Sequence, residues 1–399
     1  MSEGEIESDA GVDTSSFFLA VLSTLISRTL LADWRTEDSE DDELDAYQES
    51  WHQMRRRNSD SECYCPLLLN SSVAAIAEDS YIGTQSERFC YSGVRTKSIE
   101  NNHSKQFDCK WLEVLTRLRL TSNDVLLQVE EDARRSSVKR EYGEAFVTAA
   151  SSDHFAESKK FVGSTQHFFP HSKIIFYDLG LSAAQVAEVK HFCNVEYRKF
   201  DLDFGQAHLQ NLKEYRWKPI IWALLIQEVD HFWWADSSTR WREDAKLQEN
   251  IRQLRRSAEL GKASPIVLYD VPAVGILSAT NREMLRYYHN SNITHLKHTQ
   301  MLGANLAMIH RNAELLRILK WHVLCALQSG CMAPHGARLH CIWHNGPYGE
   351  HNCHRFDQSS INILLANRYS ISFYQTTLPI ADIRRSTQGS YSPVTSNCL

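Results

Sequence analysis

The sequence predicts an α/β fold, a mostly parallel mixed sheet flanked by helices, and three observations carry that prediction. From Gly143 onward, short apolar runs alternate with helix-length segments, which is the pattern of βαβ crossovers. One of those runs, His231-Phe-Trp-Trp-Ala235, is bulky and contains no polar break, as a strand covered on both faces requires. It ends abruptly in Asp236-Ser237-Ser238-Thr239-Arg240, and open α/β sheets place their ligand sites at strand C-termini. The same polar terminus also suits the start of a helix, with Asp236 or Ser238 as N-cap.

In chain order, Ala145–Thr148 reads as a strand and Asp153–Phe169 as a helix with Asp153 at its cap. Lys173–Tyr177 is a second strand ending in Asp178-Leu-Gly180, and Ser182–Phe192 a helix capped by Ser182. Val195–Phe200 is a third strand. Pro219–Gln227 has helical composition, and a proline in the first turn forfeits no hydrogen bond. Leu247–Ala258 reads as a helix, Pro265–Tyr269 as a strand, Gly303–Ile309 as a strand, Asn312–Gln328 as a long helix and Phe356–Ala366 as a last helix. Residues 143–374 thus form the expected domain.

The flanks differ in texture. Residues 1–61 are acidic and polar, a region expected to be disordered, with one weak apolar run, Phe17–Ala32. That run is shorter than the ~20 residues a bilayer crossing needs, and positive charges follow it rather than precede it. It reads as a weak membrane anchor or an amphipathic helix. Residues 62–142 are broken and cysteine-containing, either a stem or an appended segment; residues 375–399 read as a disordered tail.

Composition narrows the partners. A net charge of −6 without a basic stripe excludes a nucleic-acid partner. Ten cysteines, with sequons at Asn70, Asn102 and Asn292, point to the oxidising secretory pathway. No Gly-x-Gly-x-x-Gly follows the first strand, and no phosphate-binding P-loop or Gly-x-Ser-x-Gly elbow occurs, which argues against dehydrogenases, P-loop NTPases and α/β-hydrolases.

The order βαβαβ, a helix containing Lys218-Pro219 and an apolar strand ending in Asp236-Ser-Ser238 resembles the GT-A fold of nucleotide-sugar glycosyltransferases. Leu302-Gly-Ala-Asn-Leu306 resembles its acceptor-side segment, and Asp357-Gln-Ser-Ser-Ile-Asn362 resembles the Asp-Gln-x-x-Leu-Asn motif of glycogenin-like, retaining members. Trp234–Trp241, Trp321–Met332 and Cys353–Leu364 together resemble an animal family known only as a domain of unknown function. The resemblance implies transfer of a sugar from a nucleotide-sugar donor to a glycan or protein acceptor, and a Golgi location. It implies Asp357 and Gln358 as catalytic residues and Asn305 and Asn362 on the acceptor side. It places Thr148, Ser151, Asp178, Lys218, Asp236, Ser238 and Arg240 around the donor, although for Thr148 and Ser151 an ordinary polar loop reads almost as well.

The strand that normally ends in Asp-x-Asp here keeps only Asp236. A departing nucleoside diphosphate still needs its charge offset. Either Asp236 binds Mn²⁺ or Mg²⁺ with help from Asp357 or a histidine, or Arg240 and Lys218 take the metal's place. The missing carboxylate equally fits a catalytically inactive GT-A-like domain that binds carbohydrate or protein. A last cluster, Cys325, Cys331, His335, His340, Cys341, His344, His351, Cys353 and His354, lacks any Cys-x-x-Cys pair. A disulfide-stapled loop over Pro334–Asn352 is therefore favoured over structural zinc, with at least one disulfide among the four cysteines.

Overall fold

The computed structural model describes residues 63–66, 86–92, 104–135, 144–201, 206–269, 274–288, 293–342, 346, 348–349, 352–383, 391–396 and 398. The apolar run Phe17–Ala32 and the sequon residues Asn70, Asn102 and Asn292 lie outside them. No helix among the described residues is long and apolar enough to cross a membrane.

Strands β1 (Tyr64–Pro66) and β2 (Ser86–Arg88) form an antiparallel pair, followed by helix α1 (Ser122–Arg135). The alternating region then begins: β3 (Ala145–Ala150), α2 (Phe155–Phe168), β4 (Lys173–Asp178), α3 (Ala183–Val189) and β5 (Val195–Lys199). A full capping box on Ser182 and Gln185 fixes the start of α3. Next come α4 (Trp217–Leu225), β6 (His231–Ala235), β7 (Thr239–Trp241), α5 (Leu247–Glu259) and β8 (Ile266–Tyr269). Further on come α6 (Arg282–Tyr287), α7 (Ile293–His298), β9 (Leu306–His310), α8 (Ala313–Leu327), α9 (Asp357–Arg368), β10 (Gln375–Thr376) and β11 (Ala381–Ile383), with single helical turns at Ser329–Met332 and Ile371–Tyr374.

Seven strands make the central sheet, in the order β10-β8-β9-β6-β3-β4-β5. Four neighbouring pairs are parallel, and β9 is antiparallel to both β6 and β8, so the sheet is mixed but mostly parallel. Strand β6 sits at its centre. Side chains alternate across a strand, and β6 shows it: Phe232 and Trp234 enter one hydrophobic core, Trp233 and Ala235 the other. Both faces are covered by helices, which is why the sequence of β6 carries no polar interruption.

The polar end of β6 does not open a helix. The chain turns over Asp236–Ser238 and continues as β7, which pairs antiparallel with β11. The described residues after 374 are therefore built into the fold, where the sequence suggested a disordered tail. β10 forms one edge of the central sheet, β11 holds β7, and Cys398 is disulfide-bonded to Cys193. These strands are two and three residues long and tied by backbone bonds and one covalent bond, so no hydrophobic period announces them.

The described parts of residues 62–142 are likewise part of the core. Phe89, Phe107, Trp111 and Leu115 are buried in the same apolar cluster as Trp222 and Trp234. Glu87 holds the buried Lys320 ammonium of α8 and accepts hydrogen bonds from Ser122. Glu62–Leu399 form one compact unit. All ten cysteines are paired: Cys63–Cys90, Cys65–Cys109, Cys193–Cys398, Cys325–Cys331 and Cys341–Cys353. The disulfide expected among Cys325, Cys331, Cys341 and Cys353 is thus present twice.

Candidate functional site

Asp236 and Asp357, over a hundred residues apart in sequence, meet on one ammonium group. Lys218, near the start of α4, places Nζ 3.1 Å from Asp236 Oδ1 and 3.0 Å from Asp357 Oδ2. A third bond, of 3.3 Å, runs from Nζ to the carbonyl of Ala304. The Lys218 side chain is 3 % exposed, Asp357 7 % and Asp236 29 %, so Asp236 is the member that faces solvent.

Three rings flank the ammonium, those of Tyr215, Trp217 and Trp234, with centroids 5.7, 5.8 and 5.6 Å away, inside the range of cation–π attraction. The two carboxylates hold the Lys218 amine well above its ordinary range despite burial, which alone would lower it. Burial pushes the Asp357 carboxyl upward, with the ammonium opposing that shift. Trp234 donates its indole N–H to Asp236 Oδ1 at 2.8 Å, and the Asp236 amide donates to the carbonyl of Asn305 at 2.7 Å. Both the side chain and the backbone of Asp236 are therefore fixed.

The other half of the site is positioned by α9. Phe356, the residue before Asp357, has φ +48°, a left-handed conformation that costs a non-glycine residue on the order of 1–3 kcal/mol. It turns the chain so that Asp357 enters the first turn of α9, where the helix dipole favours a carboxylate. Asn362, one turn further on, receives the Leu302 amide at 2.8 Å and donates to the Leu302 carbonyl at 2.9 Å. The loop 302–305 so held supplies the Ala304 and Asn305 carbonyls that grip Lys218 and Asp236. Gly303 is needed there, since a Cβ would lie 3.1 Å from the Tyr269 carbonyl and closer still to the Asn305 side chain. Asn305 Oδ1 is buried without a partner.

The remaining expected donor-side residues, and Gln358 expected to be catalytic, fall into two groups. Ser238 is half-buried in the turn beside Asp236, and Gln358 is half-buried beside Asp357. Arg240 is buried and its guanidinium donates to the carbonyls of Ser237, Thr239 and Glu157 at 2.7, 2.6 and 3.0 Å. It ties the turn to the start of α2, and burial brings its pKa down to about 10. Thr148 is fully buried within β3, and by alternation from Val147 it lies on the sheet face opposite Trp234. Its hydroxyl has no partner. Ser151 donates to Asp153 at the entry to α2. Asp178 accepts from the amides of Gly180 and Leu181 and from the Tyr197 hydroxyl, which commits it to the turn before α3. The structure thus joins Lys218, Asp236, Asn305 and Asp357, links Asn362 to them through the loop 302–305, and gives Arg240, Ser151 and Asp178 local bonding roles.

Behind the ammonium lies a buried chain the sequence did not single out. His322 Nδ1 is 3.0 Å from Ser360 Oγ, which is 2.8 Å from the Tyr288 hydroxyl. Burial, reinforced by Lys218, lowers the His322 pKa to about 3, so the ring is neutral. Its Nε2 is unpartnered. The aromatic surround of Lys218 did have a signal, the run Tyr215-Arg-Trp-Lys218; the strained Phe356 had none.

A divalent ion held by Asp236 and Asp357 together would have to displace the ammonium that bridges them. Among the described residues, no three His, Cys, Asp or Glu side chains converge as a metal site.

Comparison with known proteins adds the following. Residues 79–223 match the family described as "Protein of unknown function (DUF1647)". No curated protein matches the chain. Among solved structures, the bifunctional glycosyltransferase WbbM superposes with a TM-score of 0.33 at 13% identity, over 61% of this chain and 40% of that one. The galactosyltransferase LgtC, in complex with donor and acceptor sugar analogues, gives 0.29 at 13% identity over 55% and 70% of the two chains. An active-site mutant of LgtC gives 0.28 at 14%, over 45% and 61%. The chain thus spans less than half the length of WbbM.

Proposed function

We propose that this domain transfers a sugar from a nucleotide-sugar donor to a glycan or protein acceptor, using the buried Lys218 ammonium in place of a divalent metal. The observation that carries the proposal is the bridge itself: Lys218 joins Asp236 at the end of the central strand to Asp357 at the start of α9. A fixed, desolvated cation at a strand C-terminus is a preorganised partner for charge that develops on a leaving diphosphate. Asp236, the exposed member, faces the donor. Asp357 shares the Lys218 ammonium with Asp236, and Gln358 follows Asp357 in α9; in this reading the carboxylate stabilises positive charge on the sugar and the amide orients a hydroxyl. All ten cysteines are in disulfides, which supports an oxidising, secretory-type compartment.

One observation favours the alternative, a GT-A-like domain that binds without transferring: Asp357 is almost entirely covered and already paired. Calorimetric titration with a panel of nucleotide sugars, with and without EDTA, followed by an assay for released nucleotide, separates the two. The proposal expects binding and turnover that persist in EDTA. Binding without turnover assigns the domain to the second class, and turnover abolished by EDTA overturns the role given to Lys218.

A further inference from the structure

A second concavity, which the transfer reading does not use, is lined by residues of α6 and α7 and by Arg338, Tyr348 and Cys353. It is a cavity of about 840 Å³, within the size range of small-ligand sites. Lys218, Asp236 and Asp357 are not among its described lining residues.

Its charge runs against that of the protein. The chain carries −6 overall, yet the described lining holds Lys297 and Arg338, besides Arg282, and one carboxylate, Glu283. Glu283 is already paired with Arg286 at 3.1 Å. Lys297 and Arg338 are exposed and form no ion pair among the described residues. Like charges held apart in a concave wall focus field and attract a counter-charge. Tyr348 adds an aromatic face that is 43 % exposed. Its ring lies against Gly275, where a Cβ would come within 2.7 Å of it, so the glycine allows the close approach.

The floor is rigid. His354 is buried, accepts the Asn281 amide at Nδ1 and donates from Nε2 to the Met332 carbonyl. The neighbouring Cys353 is bonded to Cys341. Cations at the rim, amide side chains of Asn281 and Asn352 and an open aromatic ring are the donors and the stacking face that an acidic sugar chain requires.

We propose that this cavity binds an anionic oligosaccharide, one bearing carboxylate or sulfate groups, with Lys297 and Arg338 meeting the acid groups and Tyr348 the sugar face. The site stands independently of the transfer reading. The test is calorimetric titration of the full chain with a sulfated heparin-derived tetrasaccharide, a hyaluronan tetrasaccharide, neutral maltotetraose and a hexaglutamate peptide.

Saturable binding of one or both acidic sugars, absent for maltotetraose and weaker for the peptide, is expected. Lys297→Ala/Arg338→Ala should weaken it at least tenfold and reduce its salt dependence, Tyr348→Ala severalfold, while Lys297→Arg/Arg338→Lys retains it. The sulfated and carboxylate-only sugars decide which acid group is recognised. Asp236→Asn leaves this binding unchanged, so failure of sugar transfer and failure of this site are read separately. No binding of either acidic sugar, equal binding by the peptide, or full affinity in the double alanine variant overturns the proposal.

Discussion

Replacing Lys218 by methionine tests whether the bridge organises the site. The side chains are similar in volume, so packing against Tyr215, Trp217 and Trp234 is largely kept while the charge is lost. Two carboxyl groups, one of them 7 % exposed, are then left facing each other without a cation. Removing one partner of a buried ion pair typically costs about 3–5 kcal/mol. Unfolding entropies of ~2.1 cal/mol/K per residue mean that a unit of this length loses roughly 1.4 °C of Tm per kcal/mol. Lys218→Met should therefore lower Tm by about 4–7 °C in scanning fluorimetry at pH 7.5. The double variant Lys218→Met/Asp357→Asn removes the uncompensated buried charge as well, and should recover at least half of that loss. If Lys218→Met melts within a degree of the parent, or if Asp357→Asn adds its own loss in full, the bridge is not the organising interaction described here.

Three further outcomes are expected. His322 and His354 are neutral in the folded state, with pKa values lowered by burial to about 3 and about 4 from 6.5, so below pH 6.5 the unfolded chain binds protons that the folded one does not. Stability should fall as pH drops through that window, by about 2 kcal/mol per histidine at pH 5, and His322→Gln should remove its share in urea midpoints measured at pH 7 and pH 5; an unchanged pH slope would count against it. Trp234→Ala, at a fully buried position that also orients Asp236, should cost about 3–5 kcal/mol in the same titration. Under the transfer reading, Asp236→Asn should raise KM for the donor while Asp357→Asn mainly lowers kcat; the reverse pattern would exchange the two roles.

What the sequence made legible was whatever repeats at short range. The two-faced burial of β6 shows in four consecutive large or apolar residues, and the cap at Ser182 shows in residue type alone. Asp236 and Asp357 were each conspicuous at an element boundary. Their meeting was not, because it depends on a lysine near the start of α4 and on a loop held by Asn362, contacts that no local spacing encodes. Arg240 illustrates the opposite case. A guanidinium after an acidic strand end suggests a phosphate partner, yet it is buried and its two terminal nitrogens are bonded to three carbonyls. The turn into β7 was missed because the partner strand lies at 381–383 and is only three residues long, too short to show a period.

The bond between Cys193 and Cys398 changes what a protease can do to this molecule. A single cut anywhere between those residues leaves the two fragments covalently joined, and a cut between Cys341 and Cys353 is spanned a second time. Among the positions so protected are the segment around Tyr348 and every residue of the Lys218 bridge. Nicked and intact protein would therefore migrate alike until reduced. Material that has lost a peptide bond beside the second cavity can keep both of its walls.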